Sequence, residues 1–67
     1  MDVEAERLKL NKEIEYVQGF IEMLQKKLGN EGFVKKAKPE VIELERKKLA
    51  DNEAKIKLLE DSLSRLN

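Results

Sequence analysis

The chain has 67 residues, 42% of them charged and 4% aromatic, with fourteen Lys and Arg against fourteen Asp and Glu for a net charge of zero. So short a chain has room for one small unit and none for an enclosed catalytic pocket. The absence of Cys and His removes thiol nucleophiles, the commonest metal ligands and the usual neutral-pH base together, so no catalytic residue, metal or cofactor is expected.

The first predicted element is a helix over about residues 2–28. Val3, Leu10, Ile14, Val17, Ile21, Leu24 and Leu28 recur in steps of three, four and seven, a narrow apolar seam that another helix must cover. Asp2, Glu4 and Glu6 put negative charge at its amino end and Lys26 and Lys27 put positive charge in its last turn, both of which suit the helix dipole. Gly19 lies inside the helix and weakens it by up to ~1 kcal/mol without ending it. Gly29 and Asn30 form the stop signal, because either accommodates the left-handed conformation that closes a helix.

Residues 29–38 are predicted as a tip loop, longer than a bare reversal needs. Phe33 and Val34 are its apolar part, surrounded by Lys35, Lys36 and Lys38. Two readings apply. Both residues fold inward as a plug over the end of the seam, or Phe33 presents its ring to a nucleic-acid base while the lysines approach phosphates. The plug is favoured for Val34, and for Phe33 the two readings are balanced.

Pro39 opens the second helix, over about residues 39–66, with Glu40 and Glu43 in its first turns. Lys38 is an imperfect cap, since its side chain offers no acceptor. Ile42, Leu49, Ile56, Leu59, Leu63 and Leu66 continue the seam. Folding the chain about the tip pairs Leu28 with Ile42, Ile21 with Leu49, Ile14 with Ile56, Leu10 with Leu59 and Val3 with Leu66, every pair summing to 69 or 70. A constant sum is what an antiparallel pair of helices requires. The expected fold is therefore all-α, a two-helix antiparallel coiled-coil hairpin about 40 Å long, forming one arm over residues 1–67. The same register sets Val17 opposite Asn52, Leu24 opposite Glu45 and Arg7 opposite Leu63. Asn52 is expected to fix the register at some loss of stability, and Arg7 and Glu45 to reach past the seam with their heads in water.

Charge is unevenly placed along this rod. Residues 24–50, around the tip, hold eight basic and four acidic side chains, a balance of +4, and the remainder is −4. Local field, more than net charge, governs attraction of a polyanion. Ordinary solvation by alternating Lys and Glu is the bland alternative.

The stretch from Leu28 through Asn30-Glu31-Gly32-Phe33-Val34, Lys35-Lys36-Ala37-Lys38 and Pro39-Glu40-Val41-Ile42-Glu43 to Leu49 resembles the hairpin tip of the carboxy-terminal arm of bacterial-type valyl-tRNA synthetases. The opening Asp2-Val3-Glu4-Ala5-Glu6-Arg7 is similar to the start of that arm. One departure is Lys38, which stands where the family pattern has proline, with Pro39 one place later. Met1 then reads as a start residue added to an excised segment. The resemblance implies an antiparallel coiled coil appended to a synthetase, touching the outer corner of tRNA where the D and T loops meet. The implied partners are a valine-specific tRNA and the rest of the synthetase, with catalysis left to that larger chain.

Charge and resemblance together point to Lys27, Phe33, Lys35, Lys36, Arg46 and Lys47 as the RNA-binding residues. The competing reading is a purely structural or protein-binding hairpin, with Phe20, Leu44 and Leu58 supplying apolar surface beside or off the seam. Self-association through the seam is a further expectation for the isolated chain. An enzyme is the weakest reading, because exposed carboxylates on a rod lack the burial that tunes them for acid or base work. No apolar run approaches the ~18 to 20 residues that span a bilayer, and no secretory-type leader opens the chain. A soluble cytoplasmic segment with no membrane partner is expected.

Overall fold

The computed structural model describes residues 2–66, and Met1, read above as an added start residue, lies outside them. Three helices follow one another: α1 (Val3–Gly29), α2 (Glu31–Lys36) and α3 (Pro39–Arg65). There is no strand among the described residues. The two long helices pack against each other as an all-α hairpin measuring 50 × 14 × 13 Å, and α2 packs on the end of α1.

Helix α1 starts where its free N–H groups find acceptors. The Asp2 carboxylate accepts the Ala5 N–H at 3.1 Å and the Asp2 carbonyl accepts the Glu6 N–H at 3.2 Å, satisfying donors that no earlier turn can reach. The helix continues unbroken through Gly19.

The end of α1 differs from the expected left-handed closure. No described residue has positive φ. Gly29 stays helical and Asn30 leaves in an extended conformation, with φ −85° and ψ 110°. The Asn30 N–H donates to the Lys27 carbonyl at 3.2 Å, while its side-chain oxygen accepts the Phe33 N–H at 3.2 Å and its carbonyl accepts the Val34 N–H at 3.0 Å. One residue thus closes α1 and caps α2. That double role is why residues inside the expected loop form a helix, which carries Glu31 in its first turn and Lys35 and Lys36 in its last, the polarity that its dipole favours. Replacing Asn30 by Ala should cost about 0.5–2 kcal/mol, read as a lower melting temperature and faster exchange of the Phe33 amide. Asn30→Asp, which keeps the acceptor, should preserve both.

Helix α2 ends with the Ala37 N–H donating to the Phe33 carbonyl at 2.8 Å. Ala37 and Lys38 are then extended, as the clash of a proline ring with the residue before it requires of Lys38. Pro39 opens α3, and Lys38 makes no side-chain cap, as its chemistry led us to expect.

All thirteen seam residues are buried or half-buried. Leu10, Ile14, Val17, Leu24 and Ile42 form the buried core, and Leu24 is fully enclosed at 0% exposure. The other seam residues are half-buried because each helix covers its partner on one side only. Leu44 and Leu58 lie exposed off the seam, and Phe20 is half-buried.

The polar seam positions need correction. Asn52 donates its amide to the Lys48 carbonyl of its own helix at 2.7 Å, so the bond it makes does not set cross-helix register. Arg7 is half-buried and pairs with Glu4 one turn away. Glu45, expected to hold its head in water, is 5% exposed. Two ammonium groups make that burial tolerable.

Candidate nucleic-acid interface

Glu45 faces the seam near the tip, where the register sets it opposite Leu24 and one turn from Lys27. Lys27 of α1 reaches one carboxylate oxygen at 3.5 Å, and Lys48 of α3 reaches the other at 3.2 Å. The same Lys27 ammonium stands 5.1 Å from the centre of the Phe33 ring on α2, within the range of a cation–π contact. Side chains from three helices therefore meet at one lysine. Among the described residues no buried side-chain nitrogen or oxygen lacks a hydrogen-bond partner.

Burial raises the Glu45 pKa, but the hydrogen bond from Lys48 and the charges of Lys27 and Lys48 outweigh it and hold the carboxyl below its ordinary value of 4.5. A carboxyl with a depressed folded-state pKa stabilises the fold above its unfolded value and stops doing so as pH falls through the folded one. The melting temperature should therefore fall as pH drops below 4.5, and Glu45→Gln should lose this component of the pH dependence. Melting followed by circular dichroism between neutral and acid pH checks it.

The six residues expected to bind RNA fall into three groups. Lys27 and Phe33 are brought together, with Lys27 engaged by Glu45 and the Phe33 ring half-buried beneath it. Val34, expected as a plug, is 38% exposed. Lys35 and Lys36 share the last turn of α2, are exposed, and have no ion-pair partner among the described residues. Lys35 also lines a shallow groove with Leu28, Gly29, Glu31 and Val34. Arg46 and Lys47 sit two turns into α3, about 10 Å back from its start. Arg46 is exposed without an ion-pair partner among the described residues, and Lys47 pairs with Asp51 at 3.3 Å.

Lys26 and Lys38 complete the cationic end. Both are exposed and neither has an ion-pair partner among the described residues. They entered the charge count but not the expected site. Asn30, Glu45 and Lys48 are the other residues missed. Asn30 preceding Glu31 is a cap-and-dipole signal for a short helix, and Glu45 is flanked in register by Lys27 and Lys48. Among the described residues no group of three or more acidic side chains is placed to hold a metal ion.

A cationic end on a slender hairpin is a general device, and comparison with known proteins narrows it. A family model described as the valyl tRNA synthetase tRNA binding arm matches residues 2–67. The chain belongs to this family. The arm is 52% identical over 66 residues to a valine–tRNA ligase of Parabacteroides distasonis, a match covering 98% of this chain and 8% of the relative. It is 53% identical over the same length and coverage to the corresponding ligase of Porphyromonas gingivalis. To that of Christiangramia forsetii it is 46% identical across 100% of the chain and 8% of the relative. The arm thus spans about 8% of the length of the curated relatives it matches. No solved structure matches it. No helix among the described residues is long and apolar enough to cross a membrane.

Proposed function

We propose that the arm binds tRNA through its cationic tip, at the outer corner where the D and T loops meet, as an accessory part of a cytoplasmic valyl-tRNA synthetase. The carrying observation is the set of exposed, ion-pair-free cations at one end of the hairpin, led by Lys35 and Lys36 on α2 and joined by Arg46 on α3. They belong to residues 24–50, whose charge is +4, while the rest of the chain, towards the opposite end, is −4. Lysines attract phosphate without reading sequence, through a term that weakens with salt. An acidic base keeps the shaft off the polyanion, so contact is directed to the tip.

Lys47 supplies a further phosphate contact by exchanging Asp51 for RNA. Lys27 and Phe33 form the apolar and cationic ridge on which an unpaired base of the tRNA corner is received. None of these groups reads much sequence. The arm therefore adds affinity and orientation, while valine activation and transfer belong to the remainder of the synthetase and the arm contributes no catalytic group.

Titration of the 67-residue chain with a valine-accepting tRNA at about 50 and 200 mM salt tests this reading. Binding that weakens steeply with salt is expected. A salt-independent affinity, or none at low salt, would count against it. A structural or protein-binding hairpin would give no RNA affinity, and a swapped dimer through the seam would appear as concentration-dependent sedimentation.

A further inference from the structure

Helix α2 has six residues and none of them is buried. A helix this short does not hold itself in water, and its place against the rod must come from caps and contacts with the long helices. The Asn30 cap fixes its start. Among its contacts with the long helices, Phe33 lies beneath the Lys27 ammonium, 5.1 Å away.

A lysine on a helix end samples many rotamers, so the cation stays over the ring only if something anchors it. Glu45 supplies the anchor from α3 at 3.5 Å, and Glu45 is itself held by Lys48 at 3.2 Å. The run Lys48, Glu45, Lys27, Phe33 joins α3 to α1 to α2. A carboxylate is an expensive choice for a position 5% exposed in an apolar seam, where a leucine would serve stability as well or better. It is also a poor choice for attracting phosphate, since it removes one positive charge from the tip. Its ion pairs stabilise the charged form, but an apolar residue would hold the seam without them, and RNA attraction does not account for the carboxylate at all.

We infer that Glu45 is a positioning residue, which anchors Lys27 over the Phe33 ring and thereby sets the pose of the tip helix presented to RNA. The consequence for RNA rests on the tRNA-binding reading above, whereas the latch itself rests on geometry alone. Electrostatics and positioning predict opposite signs. Removing a carboxylate should tighten RNA binding if charge alone matters, and loosen it if the latch matters.

The test compares Glu45→Gln with Glu43→Gln, an exposed carboxylate on the same helix, in the 67-residue chain. With a valine-accepting tRNA, Glu45→Gln is expected to weaken binding about two- to fivefold, while Glu43→Gln leaves it unchanged or tighter. In carbon-resolved NMR spectra the Lys27 ε-methylene, shifted upfield by the Phe33 ring current, should move toward its free-chain position in Glu45→Gln, and amide exchange should quicken in residues 31–36. Phe33→Leu should abolish the same shift. Because Glu45 acts through Phe33, the double variant should bind no more weakly than the weaker single one.

Affinity of Glu45→Gln equal to or tighter than that of Glu43→Gln, an additive double variant, or an unmoved Lys27 resonance would overturn the proposal. If the unaltered chain binds no tRNA, the tRNA reading fails while the Lys27 shift and the exchange rates still decide the latch. If circular dichroism finds Glu45→Gln unfolded, Glu45→Asp takes its place, keeping the charge but reaching one methylene less. The Lys27 shift should then be lost in a folded chain, and its persistence overturns the proposal.

Discussion

Leu24→Ala should leave the chain largely unfolded near body temperature. Leu24 is the one fully enclosed side chain among the described residues, at 0% exposure, and truncating a buried leucine costs about 2–5 kcal/mol through lost transfer energy and the cavity left behind. A core this small seldom supplies more than about 3–5 kcal/mol in total, so the loss is comparable to the whole. Leu58, 70% exposed on α3, is the matched control, and Leu58→Ala should change stability by no more than about 0.5 kcal/mol. Melting both variants by circular dichroism reads the difference directly. Coincident curves for Leu24→Ala and the unaltered chain would mean that the seam does not hold the hairpin together.

Replacing Lys35 and Lys36 together by Ala should weaken tRNA binding by on the order of tenfold near physiological salt, and should lower the slope of log affinity against log salt by about 0.7–0.9 for each phosphate that is no longer neutralised. The slope is the more telling number, because a change in fold would alter affinity without removing a fixed number of counterions. Both residues are exposed in the last turn of α2, so the double variant should keep its helical content. Replacing Lys9 and Lys12, exposed near the other end of α1, should leave both affinity and slope close to those of the unaltered chain. Equal losses from the two pairs would mean that RNA lies along the whole rod and not at its tip.

The long elements were readable because a coiled-coil seam writes itself into the sequence many times over. Val3 to Leu28 and Ile42 to Leu66 repeat one spacing through several heptads, and any single imperfect position is outvoted by the rest. Every one of those residues proved buried or half-buried. The tip helix had no such redundancy. Six residues are fewer than two turns, too few for a hydrophobic period to register, and its existence depends on Asn30, whose backbone N–H closes one helix while its side chain starts another.

Glu45 was misjudged for a related reason. A carboxylate taken by itself belongs in water, and only the simultaneous presence of Lys27 across the seam and Lys48 one turn along makes its burial tolerable. The cationic character of the tip was legible from charge counting. Which cations are engaged in ion pairs and which are free was not, because Lys27, Lys36 and Lys47 look alike until their neighbours are known. The structure engages Lys27 and Lys47 and leaves Lys35, Lys36 and Arg46 exposed without ion-pair partners among the described residues.

Hydroxyl-radical footprinting of a valine-accepting tRNA, with and without the 67-residue chain, reaches the proposed function most directly. Protection should be confined to the D and T loops at the outer corner and should vanish when Lys35 and Lys36 are replaced by Ala. Protection centred on the anticodon or acceptor stem, or spread evenly over the backbone and indifferent to those two lysines, would contradict a tip that grips the corner.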